Sequence, residues 1–532
     1  MNQTILKKMK GALRFLFGRT TFGALFLALQ ILFLLSAFDW LKEYMVVLFG
    51  GSAALSVAVL IYIISDEENS SIKLSWVVPI LVIPVFGTLF YLFLKMQPGT
   101  WLINRRIGEL QEETAPLLSQ DPETEESYNR LNAGGGNLVR YMNRYGRYPI
   151  YSGTEAKYFP LGDDFFPALL EELKKAEVFI FMEYFIVERG VMWDSILAIL
   201  EEKAKAGVEV RFMYDGMCSL VLLPYSYPQE LEKKGIRCKM FSPMKPALSS
   251  YQNNRDHRKI CVIDGHTAFT GGVNLADEYI NRRARFGHWK DTAVMVKGPA
   301  AQSFTMMFLQ LWGVTECGKE EYGRFLYPGE APCEEHSGPG TSPRPYETDG
   351  MGFVMPYADS PLDGENVGEQ VYLDILGHAR RYVHIMTPYL ILDDITLAAL
   401  KYAAKRGVET VIIMPHIPDK IYAYLLARSY YEELLKAGVR IFEYTPGFVH
   451  AKMFVCDDEE AVVGTINLDY RSLYLHFECA AYFCQNPVVL EVERDMQETL
   501  LKCEEITLAA CRSYPLIKRF AGKALRLFAP LM

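Results

Sequence analysis

Two groups of residues with identical spacing carry the chemistry legible in this chain. The first is His257, Lys259, Asp264 and Asn274; the second is His450, Lys452, Asp457 and Asn467. In each, Lys follows His by two positions, Asp follows Lys by five and Asn follows Asp by ten. Histidine is scarce, nine in 532 residues, so a repeat anchored on it is not a product of composition. Each His–Lys pair sits in an apolar run of strand composition, where residues two apart share a face. One copy therefore directs one imidazole and one ammonium into a cleft, and two copies brought together put two of each around one point. That set suits a phosphodiester. One neutral imidazole attacks phosphorus and becomes a phosphohistidine, while the other, protonated, donates to the leaving alcohol. Lys259, Lys452, Asn274 and Asn467 bind the non-bridging oxygens and stabilise charge in the transition state. The scheme calls for no metal and no other cofactor.

An imidazole in such a role needs a carboxylate to fix its tautomer. Asp264 and Asp457 complete the repeated constellation and stand with the His and Lys residues in the candidate catalytic set. Their own positions, at turns that follow the strands (Asp264-Gly265 and Asp457-Asp458), are those of structural residues. Asp291 and Glu478 are the better orienters. The expected pairing sets Asp291 on His257 as nucleophile, and Glu478 on His450 as acid. Arg255, Arg258 and Lys290 near the first motif disfavour a protonated His257, and Asp457-Asp458-Glu459-Glu460 favour a protonated His450.

The elements that must hold these residues repeat as well. The run Ala176–Ile186 matches Arg381–Ile391, and each leads into a helical pattern closed by glycine, Gly207 or Gly407. Buried apolar strands follow, Val210–Tyr214 and Thr410–Met414, and Gly235 and Gly438 repeat the device before each motif. Strand–helix–strand alternation predicts an α/β fold, duplicated into two α/β/α halves that share one site. The expected boundaries are a membrane region at 1–110, a connector at 111–150, the first half at 151–317, a linker at 318–350, the second half at 351–511 and a basic amphipathic segment at 512–532.

The chain is half hydrophobic, only 22% charged, and carries a net charge of −9. That balance fits a globular protein with membrane segments and argues against a nucleic-acid binder. Thr21–Phe38, Tyr44–Ile64 and Trp76–Leu94 each approach the ~20 residues that span a bilayer, so two or three N-terminal transmembrane helices are expected. Basic flanks on both sides of the set demand an even number of crossings, which three full spans do not give. The ten cysteines show no metal-ligand spacing and read as reduced thiols. Arg255, Arg258, Arg282, Arg283, Arg285 and Lys290 suggest a local basic patch for anionic headgroups.

With Asn254–Lys259, Gly271–Asn274, Asp277-Glu278-Tyr279, Phe286–Thr292 and Asn467–Ser472 assembled, the chain resembles the phospholipase D superfamily and, within it, the bacterial cardiolipin synthases. The resemblance covers nearly the whole length, including Pro84–Gly87 and Arg526–Leu531. One departure is His476, which occupies a place where the family usually has Asn before the Phe-Glu pair. The resemblance implies transfer of a phosphatidyl group from one phosphatidylglycerol to another, giving cardiolipin and glycerol. It further implies phosphatidylglycerol and membrane lipids as partners, no nucleic acid, and a multi-pass protein of the bacterial cell membrane with its catalytic domain in the cytoplasm. A lipid hydrolase or another phosphatidyltransferase stays open, because pocket shape and water access choose the acceptor. Two intact motifs stand against a non-enzymatic membrane scaffold.

Overall fold

The computed structural model describes residues 25–31, 42–95, 98–131, 136–218, 222–243, 254–316, 318–326 and 351–531. The chain divides into two compact units. One comprises residues 1–102, 244–253 and 524–532; the other comprises 103–243 and 254–523 and holds both motifs.

The larger unit is built on two main sheets of matching topology. The first half contributes β1 Glu155–Phe159, β2 Phe179–Tyr184, β3 Glu209–Asp215, β4 Arg237–Phe241, β5 Lys259–Ile263, β6 Thr267–Gly271, β7 His288–Lys290 and β8 Ala293–Lys297. The second contributes β9 Phe353–Asp359, β10 Tyr382–Met386, β11 Glu409–Pro415, β12 Arg440–Tyr444, β13 Gly447–Val449, β14 Met453–Cys456, β15 Glu460–Gly464, β16 Glu478–Cys484 and β17 Cys503–Glu505. The strand orders are β1-β8-β6-β5-β2-β3-β4 and β9-β16-β15-β14-β10-β11-β12-β17. Apart from the added edge strand β17, the second order is the first repeated, as the duplication predicts. In each half a central strand pairs in parallel with the strand after its crossover helix, β2 with β3 and β10 with β11. The same strand pairs antiparallel with the one that follows the motif histidine, β5 or β14. β2 is buried at every residue because both faces of the sheet are covered; its residues are apolar or aromatic except Glu183, which is paired with Arg258.

The expected punctuation holds. Gly207 and Gly407 end the crossover helices Val191–Lys205 and Asp394–Lys405 with φ of 94° and 95°, left-handed values that glycine adopts without a Cβ penalty. Two helices bind the halves together. Ala301–Gly313 is buried along nearly its whole length and packs on β2, β5 and β6 of its own half and on β9 of the other. Val488–Leu500 packs on β14–β16 of its own half and on β1 of the other.

The N-terminal unit corrects the expectation of transmembrane helices. Among the described residues, no helix is long and apolar enough to cross a membrane. The first stretch is described only over 25–31. The second forms the helix Lys42–Ser65, whose side chains are described from Gly50 onward. The third is broken into Ser70–Val82 and Pro84–Lys95, of 13 and 12 residues. The break follows from Pro84, which disfavours helical geometry at the residue before it; Ile83 takes φ −133° and ψ 73°. Gly87 then packs so closely on Ile80 that an added Cβ would lie 2.8 Å from its Cα, which folds the two short helices against each other. Val59, Ile63, Ile80 and Tyr91 form the small core of this unit.

The eight described cysteines are all free thiols, in line with the sequence expectation.

Candidate functional site

The site is made by the backbone before any side chain enters it. β7 of the first half and β13 of the second pair in parallel, and His450 N–H donates to Lys290 O at 2.7 Å. On the other side, His257 N–H donates to Phe477 O at 2.9 Å and Phe477 N–H to Arg255 O at 2.8 Å. Each motif histidine is thus tied to the residue that precedes a carboxylate of the opposite half. The side chains follow. His450 Nδ1 lies 2.6 Å from Asp291 Oδ2, and His257 Nδ1 lies 2.9 Å from both oxygens of Glu478. This reverses the expected pairing: Asp291 orients His450, and Glu478 orients His257. A carboxylate can only accept, so each Nδ1 carries the proton and each Nε2 presents a lone pair.

Asp291 and Glu478 are sealed from solvent, while the two imidazoles keep 10% of their side-chain surface exposed, enough for an edge to face the cleft. His450 sits among Tyr279, Trp289 and Phe448, and Phe185 lies edge-on to His257 with ring centres 4.9 Å apart. Tyr279 and Trp289 stand in the motifs already named; Phe185 and Phe448 do not, and Phe185 stands one residue beyond β2, where a strand end was the available signal.

The two carboxylates are not equivalent. Glu478 also accepts from the Thr465 hydroxyl, whereas Asp291 accepts from Thr292 N–H at 2.9 Å. The position matching Thr465 is Gly272, where a Cβ would lie 2.0 Å from Asp291 Oδ1. Burial raises the pKa of Glu478 against the pull of Lys259. Burial also opposes the charge on Asp291, but His450 and Lys452 together carry its pKa below the ordinary value. Asp291 is the more firmly anionic of the two.

Both histidines are neutral at neutral pH. Burial and then the charges of Lys259 and Lys452 hold His257 well below its usual range, and burial and Lys452 bring His450 down to about 4. The electrostatic reasoning from sequence neighbours is therefore corrected. Arg255, Arg258 and Lys290 are buried in ion pairs with Asp215, Glu183 and Asp495. Arg283 and Arg285 pair with Glu278, so the expected basic patch is largely neutralised. Lys259 and Lys452 each donate to the carbonyl of their own motif histidine, and burial lowers them to about 8 and about 7.

Asp264 and Asp457 are not in the cleft, which corrects their place in the candidate catalytic set. Asp264 accepts from the N–H groups of Glu177, Val178 and Phe179, each at 2.8 Å. Asp457 accepts from those of Arg380, Arg381 and Tyr382. Both sit at positive φ in the tight turns after β5 and β14, and each ties its hairpin to the start of the neighbouring strand. Asn274 and Asn467 are both buried; Asn274 is mostly engaged, while Asn467 Oδ1 has no hydrogen-bond partner. Asn274 accepts from Ile186 N–H and donates to Tyr279 OH, both at 2.9 Å; Asn467 donates to Ser472 Oγ at 2.9 Å. Each keeps one amide hydrogen beyond these bonds.

His476 lies beside His257, ring centres 5.6 Å apart, with both ring nitrogens buried and without a hydrogen-bond partner. His257, His476 and Glu478 bring one donor atom each within 4.8 Å, a set close enough to surround a metal ion. Lys259 and Lys452 bear on the same space and oppose a dication, while they favour a monoanionic diester.

Comparison with known proteins places these observations in a family. The profile described as "Cardiolipin synthase, PLD-like domain" matches residues 169–312 and 372–500, one segment in each half. A second, described as phospholipase D-nuclease N-terminal, matches residues 54–95. A cardiolipin synthase of Alkalihalophilus pseudofirmus is 34% identical over 96% of this chain and 98% of its own. An uncharacterized protein of Streptococcus mutans is 46% identical over 89% of this chain and 99% of its own. Among solved structures, the phosphatidylserine synthase of Haemophilus influenzae aligns with a TM-score of 0.56, covering 74% of this chain and all of that one; at 13% identity this likeness is one of fold.

Proposed function

The chain belongs to the cardiolipin synthase family of phospholipase D-like enzymes, and from that premise we propose how its doubled site works. It is a phosphatidyltransferase that moves a phosphatidyl group from one phosphatidylglycerol to another, yielding cardiolipin and glycerol. The observation that carries the mechanism is the crossed orientation of the two histidines by Glu478 and Asp291.

The donor's phosphodiester enters between Lys259 and Lys452, whose ammoniums hold its non-bridging oxygens. His257, its Nδ1–H on Glu478, attacks phosphorus through Nε2. As the anionic diester binds, its charge raises the proton affinity of His450, which takes up a proton at Nε2 from water, and the firmly anionic Asp291 stabilises the imidazolium. His450 then protonates the glycerol oxygen as the P–O bond breaks, leaving a phosphatidyl group on His257. In the second step neutral His450 takes the proton from a hydroxyl of the acceptor phosphatidylglycerol. That oxygen attacks phosphorus, the P–N bond breaks, and His257 returns to its starting state. Lys259 and Lys452 stabilise the charge at phosphorus in both steps. The remaining amide hydrogens of Asn274 and Asn467 support the same oxygens, while their other bonds tie Asn274 to the chain just beyond β2 and Asn467 to Ser472.

Catalysis is placed at the surface of the bacterial membrane, with the catalytic unit on the cytoplasmic side. The free thiols, all but Cys503 buried among the described residues, and the lipid substrate support this placement. Purified protein given phosphatidylglycerol as sole lipid should release cardiolipin and glycerol in equal amounts, read by mass spectrometry. Phosphatidic acid with no cardiolipin would instead assign a hydrolase.

A further inference from the structure

The helix Leu516–Arg526 is turned inside out for a helix packed on a soluble domain. Such a helix buries its apolar stripe and exposes its charges. Here Leu516, Ile517 and Phe520, which share one face, are 77%, 84% and 76% exposed. The face turned to the protein carries Gly522 and Arg519. Gly522 sits where an added Cβ would lie 2.4 Å from Leu425 O, and Arg519 pairs with Glu432 at 3.0 Å. That contact admits no bulkier residue, so it fixes which way the apolar stripe points. Charge completes the pattern. From Ile506 to Met532 there is no Asp or Glu, while Arg512, Lys518, Arg519, Lys523 and Arg526 are all cationic, in a chain of net charge −9. Lys518 and Lys523 are exposed and, with Arg428 and Arg519, line a small hollow beside the helix.

We propose that the face formed by Leu516, Ile517 and Phe520 inserts into the interfacial layer of a leaflet rich in anionic phospholipid, with Lys518 and Lys523 against its headgroups. This rests on the phosphatidyltransferase reading above, and it names the element that brings the enzyme to its substrate's surface. Apolar side chains bordered by basic ones are the composition that binds such an interface. A second copy of this chain is a poorer occupant, because two such faces would bring two sets of cations together.

The test uses the full-length protein with vesicles of phosphatidylglycerol or phosphatidylcholine whose acyl chains carry bromine. In Phe520→Trp, bromolipid should quench fluorescence beyond the wild-type level on phosphatidylglycerol vesicles and not on phosphatidylcholine vesicles. The double variant Ile517→Ser/Phe520→Ser should need at least fivefold more vesicle lipid for half-maximal turnover, with saturating turnover in mixed micelles unchanged. Absence of added quenching at position 520 overturns the proposal, whether or not cardiolipin is made. Quenching without any cardiolipin product leaves the docking face standing and removes the assigned reaction. A mass that doubles with protein concentration and halves in the double variant, without quenching, would assign the face to self-association and overturn the proposal.

Discussion

His450 and Asp291 lie 159 positions apart and on opposite halves, yet Nδ1 and Oδ2 are 2.6 Å apart. His257 and Glu478 repeat the relationship between the same two halves at 2.9 Å. Neither half holds a complete catalytic pair of its own, so the duplication yields one site rather than two.

The crossed pairing assigns each carboxylate to a step. Asp291→Asn should impair protonation of the leaving alcohol, and Glu478→Gln should impair attack. With a phosphatidyl ester of p-nitrophenol, which leaves without an acid, single-turnover phosphorylation of His257 should recover in Asp291→Asn and in His450→Ala, and should stay depressed in Glu478→Gln. Recovery in Glu478→Gln alone would reverse the roles.

Each histidine should be indispensable on the natural substrate. His257→Ala and His450→Ala should each lower turnover by at least the ~10²–10⁴ attributed to an acid–base group. Retention of more than about a tenth of the wild-type rate in either variant would contradict the shared site.

The lysines should set the alkaline limit. Burial brings Lys452 to about 7 and Lys259 to about 8 in the free enzyme. If their ammoniums hold the diester as proposed, kcat/KM should fall as pH rises through this range. The stability contribution runs the other way. A lysine whose folded pKa lies below its unfolded value binds fewer protons when folded, so stability from these groups rises with pH between about 7 and the ordinary lysine value. A pH series of kcat/KM and of thermal midpoints should show these opposite slopes. A flat kcat/KM from pH 6.5 to 9 would dismiss the lysines as the limiting groups.

Asp264 and Asp457 should behave as structural residues. Asp457→Ala removes the acceptor of three backbone N–H groups and should cost about 1–3 kcal/mol in a denaturant titration, with the folded fraction still active. A fully folded but inactive variant would return Asp457 to the catalytic set.

Excess EDTA should leave turnover unchanged, because the cleft supplies its positive charge through Lys259 and Lys452. Activity lost on chelation and restored by Mg²⁺ would require a different chemistry.

The residues of the cleft were legible where local rules apply. A His and a Lys two apart on a strand must share a face, and Gly207 and Gly407 had to end helices. What the sequence could not place was the partner of each histidine. That depends on β7 pairing with β13 and on the single bridge between Asp256 and Phe477. These contacts are too short to leave a periodic signal, and they join segments that are remote along the chain. The charges near His257 misled for a related reason, since Arg258 and Lys290 turn away from the cleft into buried ion pairs. In the N-terminal unit, apolar composition gave the stretches, while Pro84 decided where the third one breaks.

The central claim, one site with His257 as nucleophile held by a carboxylate of the other half, is tested most directly by trapping the covalent intermediate. Wild-type and Glu478→Gln enzymes would be quenched with radiolabelled phosphatidylglycerol during turnover and the label mapped to peptides. Label is expected on the peptide containing His257, with its amount strongly reduced in Glu478→Gln. Label on the peptide containing His450, and none on that containing His257, would contradict it.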